Sequence, residues 1–161
     1  MPIKYRDAPS PAALSRLDQD FGGLPSDYHA FLAAHDGLTI AWPGHCQIPF
    51  DKVDDGAIAF GELFGVEAAR SSSNLRAFND EFLAEIAFVG RALLIGEDGG
   101  GNPFVLMLDP ARGPVLYWDR THLHVPGRGE PDFPEVEDSG NLYALADDFA
   151  AFIDLVRTHA V

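Results

Sequence analysis

Basic side chains are scarce in this chain: 11 Lys and Arg stand against 25 Asp and Glu, a formal net charge of -14 over 161 residues. Such a chain repels nucleic acid and anionic membrane, and its field favours a cationic partner. Direct binding of nucleic acid is not expected. Cysteine is scarcer still. Cys46 is alone, which excludes an internal disulfide framework and a cysteine zinc site and leaves it as a small buried hydrophobe. No apolar run approaches the ~18 residues of a membrane span, and the opening MPIKYRDAPSPAAL lacks the long apolar core of a signal peptide. The expectation is a soluble cytoplasmic protein without a membrane association. No internal repeat is visible. What is present, 47% hydrophobic and 22% charged residues, suits one globular domain over residues 1–161. A chain of this size buries about two-thirds of its unfolded surface.

Helix signals open and close the chain. Ser10-Pro11 gives a cap and a proline at the first helical position, followed by Leu14, Leu17 and Phe21 on one face and Gly22-Gly23 as a stop. In LPSDYHAFLAAHDGL, Pro25 presets the backbone, Asp27 complements the helix dipole, and Asp36-Gly37 ends the helix. Leu75, Phe78, Phe82 and Ile86 predict a third helix over about 74–86, after the Ser71-Ser72-Ser73 punctuation. A fourth starts at Asp147 with Phe149, Phe152, Ile153 and Val156 on one face. Between them, LTIAW, QIPF, AIAFGELF, ALLIG, PFVLMLD and PVLYWD read as strands separated by Gly, Pro and Asp turns. Residues 126–141, PGRGEPDFPEVEDSGN, read as an irregular acidic surface segment.

The stretch GEDGGGNP, residues 96–103, admits three readings. A dinucleotide fingerprint needs a helix after its glycines, yet a strand-like run follows, and Glu97 and Asp98 would repel the anion. A calcium loop needs oxygen ligands at alternating positions and a closing glutamate, which three glycines and PFVLMLD do not supply. A hairpin turn needs residues that tolerate positive φ between two strands, and this the stretch provides.

Taken in order, LPSDYHAFLAAHDGL, LLIGEDGGGNPFVLMLD, GPVLYWDRTH and LADDFAAFIDLV resemble the SUKH superfamily over about residues 10–158. That superfamily includes the fungal cell-wall assembly regulator and many bacterial toxin-immunity proteins. The resemblance implies an α+β domain, a mostly antiparallel sheet flanked by N-terminal and C-terminal helices, with no catalytic site and no cofactor to carry over. It also implies that many bacterial members neutralise nuclease toxins.

Candidate chemistry is thin. His122 and His124 alternate by two and could face one side of a strand with Asp119 near, but they supply only half a tetrahedral shell, and no HExxH motif or cysteine pair completes it. They read as surface histidines, and no metal is expected. Ser71 to Ser73 lack a GxSxG elbow. Trp42, Trp118, Tyr117 and the phenylalanines could line a ligand pocket, but aromatics on strands and helix faces are expected in the core.

The acids are the remaining signal. Asp51, Asp54 and Asp55, then Glu97 and Asp98, then Glu130, Asp132, Glu135, Glu137 and Asp138 fall in turns or irregular segments, where their charges are expected to face water. Simple solubility would explain them. So would a surface that imitates a phosphate backbone and occupies the basic cleft of a nuclease. The leading expectation is a non-catalytic immunity protein that binds a cationic toxin domain directly. The alternative is a regulatory or scaffolding domain for a signalling or cell-wall-synthesis partner, and an enzyme or small-molecule binder comes last.

Overall fold

A computed structural model of the chain describes residues 1–53, 55–108, 112–120 and 141–161. The first strand, β1 (Ile3–Tyr5), is followed by helix α1 (Pro11–Asp20). The Ser10 hydroxyl accepts from the Ala13 amide at 3.2 Å, and Pro11 sits where no amide is needed. The helix closes with the Gly23 amide on the Asp18 carbonyl at 2.8 Å and the Gly22 amide on the Gln19 carbonyl at 3.1 Å. This paired closure satisfies two carbonyls that a bare helix end would leave open.

Helix α2 (Ser26–Ala34) ends at His35, whose backbone is extended, so the Asp36-Gly37 stop has a different use. Asp36 is buried, and its carboxylate accepts from the amides of Val66 at 2.6 Å and Glu67 at 2.9 Å. Gly37, at φ +88, lies so close to the next layer that a Cβ there would come within 2.3 Å of the Leu63 carbonyl oxygen. The pair serves to dock the α2 exit on the sheet.

The strands β2 (Leu38–Ile40), β3 (Gln47–Pro49) and β4 (Ala57–Leu63) come next. Helix α3 (Leu75–Phe82) starts on Asn74, whose side-chain oxygen accepts from the Ala77 amide at 3.1 Å. The expected single helix over 74–86 is instead two pieces: Leu83–Val89 continues as a tighter 3-10 segment with a kink at Ile86 (φ -117, ψ 25). Four strands follow, β5 (Ala92–Asp98), β6 (Pro103–Met107), β7 (Val115–Asp119) and β8 (Asn141–Ala146), and then helix α4 (Phe149–His159). Asp148 rather than Asp147 caps α4, accepting from the Ala151 amide at 2.8 Å.

The pairings among these described strands are antiparallel, in the order β1-β2-β4-β5-β6-β7-β8, with β3 paired to the start of β4. The α+β class with a flanked antiparallel sheet is as expected. The two edge strands, β1 and β8, were not expected. Asn141, placed by the sequence pattern in the irregular segment, opens β8, while residues 126–140 lie outside the described residues.

One core joins sheet and helices. Phe152 of α4 packs on Phe104 with ring centroids 4.9 Å apart, Tyr28 and Phe31 of α2 pack on Phe149 at 5.0 and 5.2 Å, and Phe78 of α3 packs on Phe64 at 4.4 Å. Each such side chain contributes about 1.5–3 kcal/mol by leaving water. Trp118, Tyr117 and Cys46 are in this core, as expected. Trp42 is a correction: it is 92% exposed, because the residues around it form a loop off the edge of the sheet rather than a strand.

Candidate functional site

Register fixes which strand ends coincide. Phe60 lies opposite Asp98, Glu97 opposite Pro103, Phe104 opposite Tyr117, and Asp119 opposite Asn141. The start of β4, the end of β5, the start of β6, the end of β7 and the start of β8 therefore share one end of the sheet. The β3–β4 and β5–β6 connections both project there.

The β3–β4 connection is closed by the Phe50 amide on the Gly56 carbonyl and the Gly56 amide on the Val53 carbonyl, both at 3.0 Å. Val53 is buried, and Phe50 sets its ring edge-on to Tyr143 at 5.9 Å and to Tyr117 at 6.4 Å. These two apolar anchors turn Asp51 and Asp55 outward, and both are exposed. Asp54 lies outside the described residues.

GEDGGGNP is the β5–β6 hairpin turn, as the sequence predicts. Its organiser is Asp98, which corrects the expectation that this carboxylate faces water: it is only 8% exposed. One oxygen accepts from the amides of Gly100 at 2.7 Å and Asn102 at 2.9 Å, and the other accepts from the Asn102 side-chain amide at 3.0 Å and the Tyr117 hydroxyl at 2.7 Å. A buried carboxylate is tolerable only when donors surround it in this way. The Asn102 side-chain oxygen in turn accepts from the Arg120 amide at 2.8 Å, tying the turn to the end of β7. Burial first, and then the carboxylate of Asp98, push the Tyr117 hydroxyl well above its ordinary pKa.

Glu97 points the other way and is half-buried. Its cross-strand neighbour is Glu62. Partial burial, then the charges of Glu62 and Asp98, hold the Glu97 carboxyl above the usual glutamate range. Glu62 is itself satisfied, with Arg6 at 2.6 Å and the Ser73 hydroxyl donating at 2.9 Å. Arg6, Glu62, Arg70, Ser73, Glu97 and Gly99 line an open cleft of about 340 Å³. A tighter pocket of about 220 Å³ lies between Asp55, Asp98, Asn102, Tyr117 and Asp119.

Of the ten acids singled out by sequence, then, Asp51 and Asp55 are exposed on the β3–β4 connection, Glu97 lines the separate cleft beside Glu62, and Asp98 builds the turn that borders both pockets. Glu130, Asp132, Glu135, Glu137 and Asp138, like His122 and His124, lie outside the described residues. Sequence reasoning missed Glu62, and it read Asp36 only as part of a helix stop and Asp119 only as a neighbour of His122 and His124; both are buried acids, a placement no spacing rule marks. Among the described residues no group of three or more His, Cys, Asp or Glu is placed to hold a metal ion. Burial pushes the Cys46 thiol up to about 11, which leaves little thiolate at neutral pH. No helix among the described residues is long and apolar enough to cross a membrane.

A model of the SMI1 / KNR4 family (SUKH-1) matches residues 8–155. No curated protein matches the chain.

Proposed function

The chain belongs to the SMI1 / KNR4 family (SUKH-1), and from that premise we propose that it is a non-catalytic immunity protein, which neutralises a cationic toxin domain by direct contact. The observation that supports this reading is the exposure of Asp51 and Asp55 on the β3–β4 connection, with Glu97 lining a second acidic cleft beside Glu62, in a chain with a net charge of -14. Acids on a rigid sheet end cost little ordering on binding and focus a negative field on the approach path. A basic nuclease cleft presents the opposite sign, and filling it denies the substrate its place.

The test is capture of the bound protein from the native cell, its identification, and surface-plasmon kinetics with both proteins purified. A basic partner is expected. Association should slow as salt rises and slow again when Asp51, Asp55 and Glu97 are changed to Asn, Asn and Gln, with dissociation less affected. A second variant neutralises Glu130, Asp132, Glu135, Glu137 and Asp138 together. Rates indifferent to salt and to both variants, or a partner without basic character, would remove the immunity reading and favour a regulatory or scaffolding role.

A further inference from the structure

The loop from Ala41 to Cys46 carries the feature that the acidic sheet end does not explain. Trp42 is 92% exposed, whereas the other tryptophan, Trp118, is fully buried. An indole left in water forgoes the burial that makes aromatic side chains the main contributors to cores and interfaces. Among the described residues no ring or guanidinium lies over it, although Arg120 covers both Trp118, at 4.9 Å, and Phe82, at 4.3 Å.

The loop is not slack. The Ala41 amide donates to the Pro2 carbonyl at 2.7 Å, the Gly44 amide to the Ala41 carbonyl at 2.8 Å, and His45 and Val161 exchange two backbone bonds at 2.9 Å. Gly44 is wedged so tightly between the two ends of the described chain that a Cβ there would lie 2.4 Å from Pro2 Cβ and 3.0 Å from the Val161 carbonyl oxygen. Trp42 is thus held outward on a pinned frame. Such preorganisation lowers the ordering cost of contact.

Charge decides what fits there. The loop runs directly into β3, and the other end of this three-residue strand leads to the tip that exposes Asp51 and Asp55. The three residues of β3, about 10 Å of strand, stand between the end of the loop at Cys46 and the start of the tip at Phe50. A side chain drawn to those carboxylates is cationic, and the free face of an indole is the best aromatic partner for a guanidinium or ammonium. Tryptophan is also enriched among the few interface residues that dominate binding energy. A bilayer interface likewise accepts tryptophan, but a chain of net charge -14 is repelled by anionic headgroups.

We infer that Trp42 is the anchor of the interface with a cationic protein: its indole receives an Arg or Lys side chain of the partner while Asp51 and Asp55 hold neighbouring cations. The inference rests on the immunity reading above and adds to it the residue on which the interface turns.

The experiment uses the full chain and the purified basic protein recovered by the capture described above, with Trp42→Ala, Trp42→Phe and the Asp51/Asp55/Glu97 variant side by side. Trp42→Ala is expected to weaken binding at least tenfold, or about 1.4 kcal/mol, chiefly through faster dissociation, with an unchanged melting temperature. Trp42→Phe should retain an intermediate affinity, because an aromatic face remains. Wild-type fluorescence should shift to the blue as the partner covers the exposed indole, and the shift should vanish in Trp42→Ala, since Trp118 is already buried. Vesicles of phosphatidylcholine and phosphatidylserine should produce no shift. A salt-sensitive complex that Trp42→Ala leaves intact would overturn the anchor and spare the immunity reading. Failure of the wild type to capture any basic protein overturns both, and a vesicle-induced shift would assign Trp42 to a lipid surface instead.

Discussion

Asp98 Oδ2 accepts the phenolic hydrogen of Tyr117 at 2.7 Å across two strands of the sheet. Both groups are nearly buried, and the same carboxylate holds the Gly100 and Asn102 amides. Truncation to Asp98→Ala leaves those buried donors without an acceptor, so a loss of about 2–4 kcal/mol is expected. Tyr117→Phe removes only one donor and should cost about 1 kcal/mol. Urea unfolding of both single variants and the double variant should give a coupling of roughly 1 kcal/mol or more, as befits two groups in one network. Strict additivity would mean that the contact does not form in solution.

The same turn separates its glycines. Gly101 sits at φ +87, a region that side chains with a Cβ reach only with strain, whereas Gly100 has no positive φ and a Cβ there would meet Asp98 at an ordinary 3.4 Å. Gly101→Val should therefore lower stability by about 1–3 kcal/mol, while Gly100→Ala should stay within about 0.5 kcal/mol of wild type. Thermal unfolding of the two variants decides it. Equal losses would mean that the turn adopts another path.

Asn79 clamps the unpaired part of β5. Strand β4 stops opposite Gly96, and the Leu94 amide and carbonyl turn to Asn79, with no strand beside them among the described residues. The Asn79 side chain supplies both missing partners: its oxygen accepts from the Leu94 amide and its nitrogen donates to the Leu94 carbonyl, each at 2.8 Å. Its nitrogen also reaches the Leu75 carbonyl at 2.8 Å. In Asn79→Leu the size is kept and the hydrogen bonds are lost, with an expected cost of about 2–4 kcal/mol. Amide exchange at Leu94 should accelerate far more than at Leu93 or Leu106, and uniform acceleration would point to global loosening instead.

How much of this was written in the sequence depends on the length scale of each signal. The four helices were legible because caps and apolar spacing act within a few residues, as at Ser10, although the cap of α4 is Asp148 rather than the expected Asp147 and Asn74 was not singled out as the cap of α3. The central strands were legible because both their faces are covered, giving the continuous apolar runs of β5, β6 and β7. Strand β1 is three residues long and owes its existence to β2, so no local pattern could announce it. The roles of Asp98 and Asn79 were hidden for the same reason: burial of a polar group is decided by partners many residues away, Tyr117 for one and Leu94 for the other. The pairing of Glu97 with Glu62 likewise follows from strand register, which composition does not encode. Trp42 was misplaced because aromatic residues near strands are usually core, and only the tertiary path of its loop sets it outside.

Glu97 gives the surface a pH signature that separates it from the other acids. Its folded pKa is raised, first by partial burial and then by Glu62 and Asp98, so the protonated form is the one the fold favours. A carboxyl raised in this way adds stability below its unfolded pKa of about 4.3, and that contribution is lost as pH rises through the folded value. At neutral pH the ionised Glu97 therefore opposes folding, and Glu97→Gln should stabilise the protein. Because the side chain is still partly in water, the gain should be only about 0.2–1 kcal/mol, in the range for like charges facing across two strands. As pH falls to about 4 the wild type binds its proton and the advantage of Gln should shrink toward zero. Comparing the two proteins at each pH cancels the response of groups they share, including the exposed Glu67, whose pKa is lowered by the Ser10 amide and hydroxyl and whose contribution therefore runs in the opposite direction. Urea midpoints for wild type and Glu97→Gln at pH 7 and pH 4 make the measurement. A variant that is less stable at pH 7, or whose advantage grows on acidification, would show that Glu97 has a cationic neighbour that outweighs Glu62.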